Sequence, residues 1–386
     1  MKGISGKEWI LLSEKVKPSR DIEKKYGHLI AQILSNRSLD ENIFDNKLKN
    51  LLPYYTIPNI EEGAERITRS IKRGERIIIY GDYDVDGITG SVVLYDFLKR
   101  AGAKVYVVFP TRQGGYGLSR ELVEEFSNYA NLLITVDNGT TATEELKNSK
   151  IETIVIDHHN PHDKMPKALI INPKIGNVPD ELKEVPSVTL SFYLVAKLRK
   201  ELNIDFDVRN YLYLTAMGTL ADAMPLNYLN RIIVSNGIRM INHMVKYNTE
   251  NSYGIKALVE NIGIKGDITS RDISFSIAPR LNAPGRVSKT IIAMKLLLSK
   301  DEKTARMWAR KIEEVNSYRK YLSDIAFKKA MNSVKGQQSR NFLIAKMEEW
   351  VGGVAGIVAG RLSSILLKPS AVFSVGKEFA TASVRG

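Results

Sequence analysis

The sequence predicts an α/β fold with a mostly parallel sheet, because short apolar runs typical of buried strands alternate with helical patterns. The helical patterns lie at about 88–101, 119–129 and 143–149. Each apolar run ends just before an acidic residue: 76–80 before Asp82, 132–136 before Asp137, and 153–156 before Asp157. Parallel sheets bind ligands at the carboxyl ends of their strands. We therefore expect these three acidic residues to lie close together at one edge.

Periodicity and helix-breaking residues divide the chain into four regions. Residues 1–60 are a predicted helical lead-in that ends at Pro53 and Pro58, and residues 61–290 are the α/β domain with the acidic strand ends. Residues 291–340 are predicted to hold a long connector helix, because the stretch 301–335 has neither glycine nor proline. Residues 341–386 form part of a second, smaller α/β domain.

Three carboxylates, those of Asp82, Asp84 and Asp86, follow the first predicted strand at every second position. Negative charge concentrated at the end of a buried strand destabilises the fold unless a cation neutralises it. In proteins that cation is usually a bound divalent metal. A calcium EF-hand loop is excluded because its twelfth position would be Val93, where a glutamate is required. A metal site and a solvated acidic turn remain as interpretations.

Two of the five histidines, His158 and His159, stand side by side after Asp157. Asp222 lies in an apolar neighbourhood, where an unpaired charge is unusual. With the first cluster these residues could form a two-metal site, although a polar turn and a buried ion pair are alternatives. Mixed carboxylate and imidazole ligands favour Mn²⁺, and Mg²⁺, which prefers oxygen ligands, is possible.

Charge and composition indicate an anionic partner and a cytoplasmic protein. The 386-residue chain has a net charge of +13, and residues 301–340 hold ten basic against five acidic residues. With no cysteine, disulfides, thiol catalysis and cysteine-ligated zinc are excluded. Residues 1–12 lack the apolar core of a signal peptide, and the apolar run 352–367 is too short to span a bilayer, so no membrane association is expected.

Longer motifs resemble the DHH phosphoesterase superfamily, and within it the RecJ-like single-strand nucleases. They are Gly81-Asp82-Tyr83-Asp84-Val85-Asp86-Gly87, Val136-Asp137-Asn138-Gly139, Asp157-His158-His159, Gly218-Thr219-Leu220-Ala221-Asp222 and Pro279-Arg280-Leu281-Asn282-Ala283-Pro284-Gly285-Arg286. The resemblance implies two ions, one held by Asp82, Asp84 and Asp137 and the other by Asp86, Asp137, His158 and Asp222. It also implies that His159 acts as the catalytic residue that faces the scissile phosphate.

Substrate contacts are expected in three segments. Arg112 lies in a segment, 111–118, that resembles one in which a RecJ arginine meets a substrate phosphate; a glycine-rich turn is the alternative. Arg280, Asn282 and Arg286 could grip phosphate. Gly353 and Arg361 belong to a run, 353–362, that resembles the substrate-binding segment of a DHH-associated domain, and a small-residue helix packed on its neighbour is the alternative. The sequence reaches residue 386 without the glycine- and histidine-bearing motif with which that domain would continue, so we expect a partial domain.

The function that these inferences favour is a metal-dependent exonuclease acting on single-stranded nucleic acid, with DNA attacked from the 5′ end, in DNA repair or replication. RNA is an alternative substrate, and replication or repair proteins are possible partners. A second hypothesis is a phosphodiesterase for oligoribonucleotides or cyclic dinucleotides, which shares the catalytic core. A third is a RecJ-like scaffold of the replication complex, which is less favoured because such scaffolds lose metal ligands and every expected ligand is present.

Overall fold

A five-stranded, all-parallel sheet forms the centre of the larger domain in the computed structural model. The structure describes residue 6, residues 8–110, 117–247, 249, 252–337, 339–347, 352–376 and 380–386. The strands lie in the order β2-β1-β3-β4-β5. In chain order they are β1 Arg76–Gly81, β2 Lys104–Val108, β3 Leu132–Val136, β4 Glu152–Ile156 and β5 Leu169–Ile171. The α/β fold class predicted from the sequence is therefore confirmed.

Helices surround this sheet and connect it to a second domain. The helices of the described residues are α1 Arg20–Tyr26, α2 His28–Asn36, α3 Ile60–Arg73, α4 Val85–Arg100, α5 Arg120–Tyr129, α6 Thr143–Leu146, α7 Asp180–Lys183, α8 Ser187–Glu201, α9 Leu212–Ala221, α10 Tyr228–Tyr247, α11 Tyr253–Ile262, α12 Ser270–Asp272, α13 Ala278–Val287, α14 Ile291–Leu297, α15 Glu302–Ser333 and α16 Gly352–Leu366. A π-helical turn, Ile273–Ile277, joins α12 to α13, and we call the whole segment the 270–287 helix.

Both faces of the sheet are buried, which explains the apolar runs. Along β1, Ile77 and Ile79 pack into the main core, whereas Ile78 and Tyr80 pack into a second cluster on the opposite face. A parallel sheet covered by helices on both sides needs apolar residues at every position rather than at alternate ones. The edge strands β2 and β5 lack this pattern, since β2 is only partly buried and β5 is three residues long.

The predicted connector helix is present as α15, which has 32 residues and a length of about 48 Å. Beyond it, β6 Leu343–Met347 and β7 Ser370–Val375 are parallel, and β8 Ala380–Arg385 pairs antiparallel with β7. Helix α16 packs on this small sheet and on the end of α15 through buried Val354, Val358 and Leu362. A smaller α/β domain after a long helix agrees with the predicted fold class, while the four domain boundaries stay predictions.

None of the helices in the described ranges is both long enough and apolar enough to cross a membrane.

Helix α16 meets α13 through a close approach of two backbones. A Cβ atom added at Gly353 would lie 1.9 Å from the carbonyl oxygen of Arg286, so no larger residue fits without a shift of one helix. At Gly360, further along α16, an added Cβ would find its nearest neighbour, Arg385 Cγ, at 4.0 Å. The first glycine is therefore needed for packing, and the second is not.

Gly353→Ala should lower the free energy of unfolding by about 1–3 kcal/mol, because the methyl group overpacks the contact with Arg286. Gly360→Ala is the matched control on the same helix. It should leave stability unchanged or raise it by up to about 1 kcal/mol, since alanine is the better helix former. Urea unfolding of both variants measures the difference, and equal stabilities would contradict this account of the α13–α16 contact.

Candidate metal centre

Three strand ends bring acidic side chains to one edge of the sheet. Asp82, Asp137 and Asp157 directly follow β1, β3 and β4, and each backbone N–H extends the ladder to the adjacent strand. The Asp82 amide donates to Val136 O at 3.0 Å, and the Asp137 amide donates to Ile156 O at 2.9 Å. The three residues are buried, so their carboxyl groups meet in a region with little water.

The turn from β1 into α4 adds Asp84 and Asp86. Asp84 is the N-cap residue of α4, and its Oδ1 accepts the Gly87 N–H at 3.1 Å. Asp86 lies in the first turn and is buried, and its two oxygens accept the N–H groups of Ser187 and Val188 at 2.7 and 2.8 Å. These amides form the N-terminus of α8, whose partial positive charge favours a buried carboxylate.

Asp137 adopts a backbone conformation that is unusual for a residue other than glycine, with φ = 65°. For most side chains this left-handed conformation costs roughly 1–2 kcal/mol, and aspartate and asparagine tolerate it best. The Ser187 hydroxyl donates to Asp137 Oδ1 at 3.1 Å. The turn and this hydrogen bond together orient the Asp137 carboxylate toward the other acidic side chains of the cluster.

His158 contacts three carboxylates through its Nε2 atom. The distances are 3.3 Å to Asp137 Oδ1, 3.5 Å to Asp222 Oδ2 and 3.9 Å to Asp86 Oδ2. Asp222 reaches the cluster from the end of α9, where it is the C-cap residue. The sequence separations are large, so only the folded chain brings these four side chains together.

The ligand atoms form three overlapping sets, and the atoms within each set lie within 4.8 Å of one another. The sets are Asp82, Asp84 and Asp137; Asp86, His158 and Asp222; and Asp137, His158 and His159. Asp137 belongs to two sets and His158 to two. This arrangement could hold two ions that share a bridging carboxylate.

The charges of the cluster are unbalanced in the protein itself. Burial, together with the neighbouring carboxylates, raises the pKa values of Asp86 and Asp137 well above the usual range. Burial and the charge of Asp84 raise the pKa of Asp222 to about 6. Burial also lowers the pKa of His158 to about 4, which leaves a neutral imidazole able to ligate at neutral pH. A divalent cation would remove this repulsion, so the residues present fit a metal.

His159 is oriented by Asp157, and 47% of its side chain is exposed. Its Nδ1 lies 2.7 Å from Asp157 Oδ1, which also accepts the backbone N–H groups of His158 and His159. Although burial opposes ionisation of Asp157, the hydrogen bond and charge of His159 and the Thr140 amide hold its pKa at about 2. The same hydrogen bond raises the pKa of His159. Asp157 therefore fixes the ring and leaves Nε2 free to face a substrate.

The cleft beside His159 has a volume of about 390 Å³, and its lining includes Asn138, Asp157 and Asn160. A substrate can therefore approach the exposed imidazole from this side. The segment 111–116, which contains the predicted substrate residue Arg112, lies outside the described residues.

Two predicted substrate residues, Arg286 and Gly353, lie together beside the cluster. Arg286 Nη1 donates to Gly353 O at 3.3 Å. The preceding Gly285 packs against the loop between the first two aspartates, since an added Cβ would lie 2.5 Å from Tyr83 O. Arg286 is thus held at the meeting point of the metal cluster and the second domain.

Arg280 and Arg361 instead have carboxylate partners on α15. Arg280 forms an ion pair with Glu313 and donates to Ser276 O at 2.9 Å. Arg361 forms an ion pair with Asp324 and stacks on Phe327, with 4.2 Å from its guanidinium carbon to the ring centroid. These contacts give both arginines a role in domain packing, and phosphate binding by either stays a prediction.

Asn282 comes two residues after Arg280, and so lies on roughly the opposite side of the helix from the ion pair with Glu313. Its Oδ1 is buried and has no hydrogen-bond partner in the part of the chain that the structure describes. Such an acceptor is costly unless a ligand or water satisfies it.

Residues that sequence reasoning missed also serve the centre. Ser187 contacts both Asp86 and Asp137. Lys174 follows β5 and is close enough for its charge to lower the pKa values of His158 and Asp222. Buried Asn172 donates to the His159 carbonyl at 2.9 Å. None of the three positions carries a local signal in the sequence, because a serine after a proline, and an asparagine or lysine after a short edge strand, are common in any protein.

Asp222→Asn should stabilise the metal-free protein at alkaline pH. The folded-state pKa of Asp222 is raised from 3.8 to about 6, so the penalty for its ionisation is absent below pH 3.8, grows between pH 3.8 and 6, and is complete above about pH 6. We expect the free energy of unfolding to rise by about 1 kcal/mol at pH 8, and this gain should vanish below the unfolded-state pKa of the aspartate. Denaturant unfolding with a chelator present measures it, with exposed Asp163→Asn as control. A variant no more stable than its parent at pH 8 would refute the proposed repulsion.

Comparisons with known proteins agree with this geometry. Residues 76–219 match the model of the DHH family, N-terminal domain. The single-stranded-DNA-specific exonuclease RecJ of Bacillus subtilis (strain 168) is 30% identical over 363 residues, which cover 91% of this chain and 45% of that protein. RecJ of Escherichia coli (strain K12) is 30% identical over an alignment that covers 94% of this chain and 66% of that protein.

The chain thus spans roughly half to two thirds of the length of these curated relatives. A crystal structure of exonuclease RecJ bound to manganese matches with a TM-score of 0.74 and 30% identity, over 83% of this chain and 80% of that one. This structural match covers most of both chains, and it agrees with the DHH family match and with the clustering of the motifs. The chain therefore belongs to the RecJ family of DHH proteins.

Proposed function

We propose that this protein is a metal-dependent exonuclease that hydrolyses phosphodiester bonds of single-stranded nucleic acid, with DNA as the favoured substrate. The observation that carries the proposal is the overlap of donor sets at Asp137 and His158, next to an exposed histidine that its own aspartate orients. Two ions a few ångströms apart suit an in-line displacement at phosphorus. The relatives named single-stranded-DNA-specific exonuclease support the choice of substrate.

The proposed ligands are Asp82, Asp84 and Asp137 for one ion, and Asp86, Asp137, His158 and Asp222 for the other. Mn²⁺ is the favoured metal because the set mixes imidazole with carboxylates, and the manganese-bound RecJ structure supports this choice. Mg²⁺ is the alternative. When bound, two such ions would activate a water and neutralise charge on the phosphate oxygens.

The chain's own groups would orient the reactants. The N-terminal amides of α8 hold Asp86, and Ser187 holds Asp137, so the ligands need little rearrangement when a metal binds. His159 keeps a proton more readily than a free histidine because Asp157 accepts from its Nδ1. Its Nε2 could therefore donate a hydrogen bond to a phosphate oxygen. We expect Arg286, which lies beside the cluster next to Gly353, to contact the neighbouring phosphate.

The direction of attack and the setting are further parts of the proposal. By its resemblance to the family, Arg112 binds the phosphate at a 5′ end, which makes the enzyme a 5′-to-3′ exonuclease. The net charge of +13 suits a polyanionic strand. We place the activity in the cytoplasm, in DNA repair or replication, with replication or repair proteins as partners.

Asp84→Asn and Asp137→Asn should each lower the hydrolysis rate by more than about 100-fold, because each removes ligand charge from the centre. Asparagine is chosen because it tolerates the φ of 65° at position 137. Elemental analysis should show one ion lost from the first variant and both lost or weakened in the second. Asp163→Asn, at an exposed aspartate, is the control. Full metal content and activity in Asp137→Asn would exclude a bridging role.

The 5′ assignment predicts which label is released first. With a long single strand and Mn²⁺, a 5′-terminal label should appear as mononucleotide before a 3′-terminal label. A 5′-phosphate should be preferred over a 5′-hydroxyl. Arg112→Gln should reduce that preference by about 10- to 150-fold, which is the effect expected from the loss of one charged hydrogen bond. The metal content of the variant should stay normal.

Several outcomes would redirect the proposal. Earlier release of the 3′ label would reverse the direction and leave the nuclease activity standing. Faster turnover of dinucleotides than of long strands would favour the oligoribonucleotide or cyclic-dinucleotide phosphodiesterase. No cleavage with any metal would favour the scaffold.

A further inference from the structure

An exposed aromatic ring stands on the helix that borders the metal centre. Phe275 is 76% exposed, whereas Ile273 and Ile277 on either side of it are fully buried. All three belong to the π-helical turn of the 270–287 helix. Because the buried isoleucines anchor the turn, the phenyl ring is held outward by a fixed backbone. Turns of this kind within a helix often occur at functional sites.

The 270–287 helix runs along the metal cluster from one end to the other. Near Phe275, the Ser274 hydroxyl donates to Leu220 O at 3.4 Å, two residues before the ligand Asp222. At the other end, Gly285 packs against Tyr83 O, between Asp82 and Asp84. A strand that leaves the cluster beside this helix would therefore pass along it.

One face of this helix carries groups suited to a nucleic-acid strand. Phe275, Pro279, Asn282 and Arg286 are three to four residues apart and so lie on the same side. The last three are half-buried, and Asn282 Oδ1 has no hydrogen-bond partner within the described ranges. Proteins that bind single strands combine cationic groups for the phosphates with aromatic rings on which bases stack.

We propose that Phe275 stacks on a nucleobase of the substrate strand, downstream of the scissile phosphate; this deepens the proposed nuclease function and rests on it. Eleven residues separate Phe275 from Arg286, which is about 16 Å along a helix. A stacked strand rises about 3.4 Å per nucleotide, so the base in question lies up to about five nucleotides from Arg286. The contact selects strands with unpaired bases, because a paired and stacked base does not offer its face.

The decisive measurement is binding of an oligothymidylate with a chelator present to prevent hydrolysis. Phe275→Ala should raise Kd about fivefold or more, the usual effect of losing one stacked base. Phe275→Trp should retain binding, and Phe275→Leu, which keeps the apolar volume but not the ring, should behave like the alanine variant. Tyr129→Ala, at a 62% exposed tyrosine in α5, is the matched control and should bind as the parent does.

Two further measurements separate stacking from other contacts. On a strand whose bases are removed at the third to fifth nucleotides, the difference between parent and Phe275→Ala should disappear. The slope of log Kd against log salt should stay the same for Phe275→Ala, whereas Arg286→Gln should reduce it by about one.

A Kd for Phe275→Ala equal to that of Tyr129→Ala would overturn the inference, as would full binding by Phe275→Leu or an effect that persists without bases. The last two results would identify Phe275 as a general apolar contact. Failure of the parent itself to bind or hydrolyse single strands would overturn the proposed function and this inference with it. Normal hydrolysis of long strands by the parent, with no effect at Phe275, would reject the inference alone.

Discussion

The burial of several carboxylates against one another at the edge of the parallel sheet is the constraint on which the site depends. Asp82, Asp86 and Asp137 are all buried, and burial raises the pKa values of Asp86 and Asp137 well above normal. The fold offsets part of this cost with the N-terminal amides of α8, which bind both oxygens of Asp86. The repulsion that these amides do not offset would be relieved by a bound cation. A metal ion therefore binds most favourably where uncompensated negative charge is already held in place.

The two adjacent histidines have different pKa values because their surroundings differ. His158 is buried among carboxylates, and burial lowers its pKa to about 4, so its imidazole is neutral at pH 7 and could ligate a metal. His159 is exposed and hydrogen-bonded to Asp157, which raises its pKa. The pKa values of two neighbouring histidines thus shift in opposite directions, because burial dominates at His158 and the hydrogen bond to Asp157 dominates at His159.

The 270–287 helix connects the chemistry to the second domain. Its Gly285 packs on the aspartate loop, its next residue Arg286 contacts Gly353 of α16, and its Arg280 pairs with Glu313 of α15. A shift of the second domain would therefore be transmitted to the loop that holds Asp82 and Asp84. The same helix leaves the side chain of Phe275 exposed to solvent, 11 residues before Arg286.

The sequence by itself determined the three central strands of the sheet, the connector helix and the set of candidate ligands, because each rests on local pattern. Fully buried strands need unbroken apolar runs, a long helix needs the absence of glycine and proline, and the acidic strand ends stand next to those runs. Tertiary structure alone decided the contacts that tune the ligands. Ser187 lies 101 residues from Asp86, and Arg280 and Arg361 meet carboxylates 33 and 37 residues away. The φ of 65° at Asp137 likewise follows from the turn in which the folded chain holds it. Such contacts leave no periodic trace in the sequence, because either partner is an ordinary polar residue until the fold brings the two together.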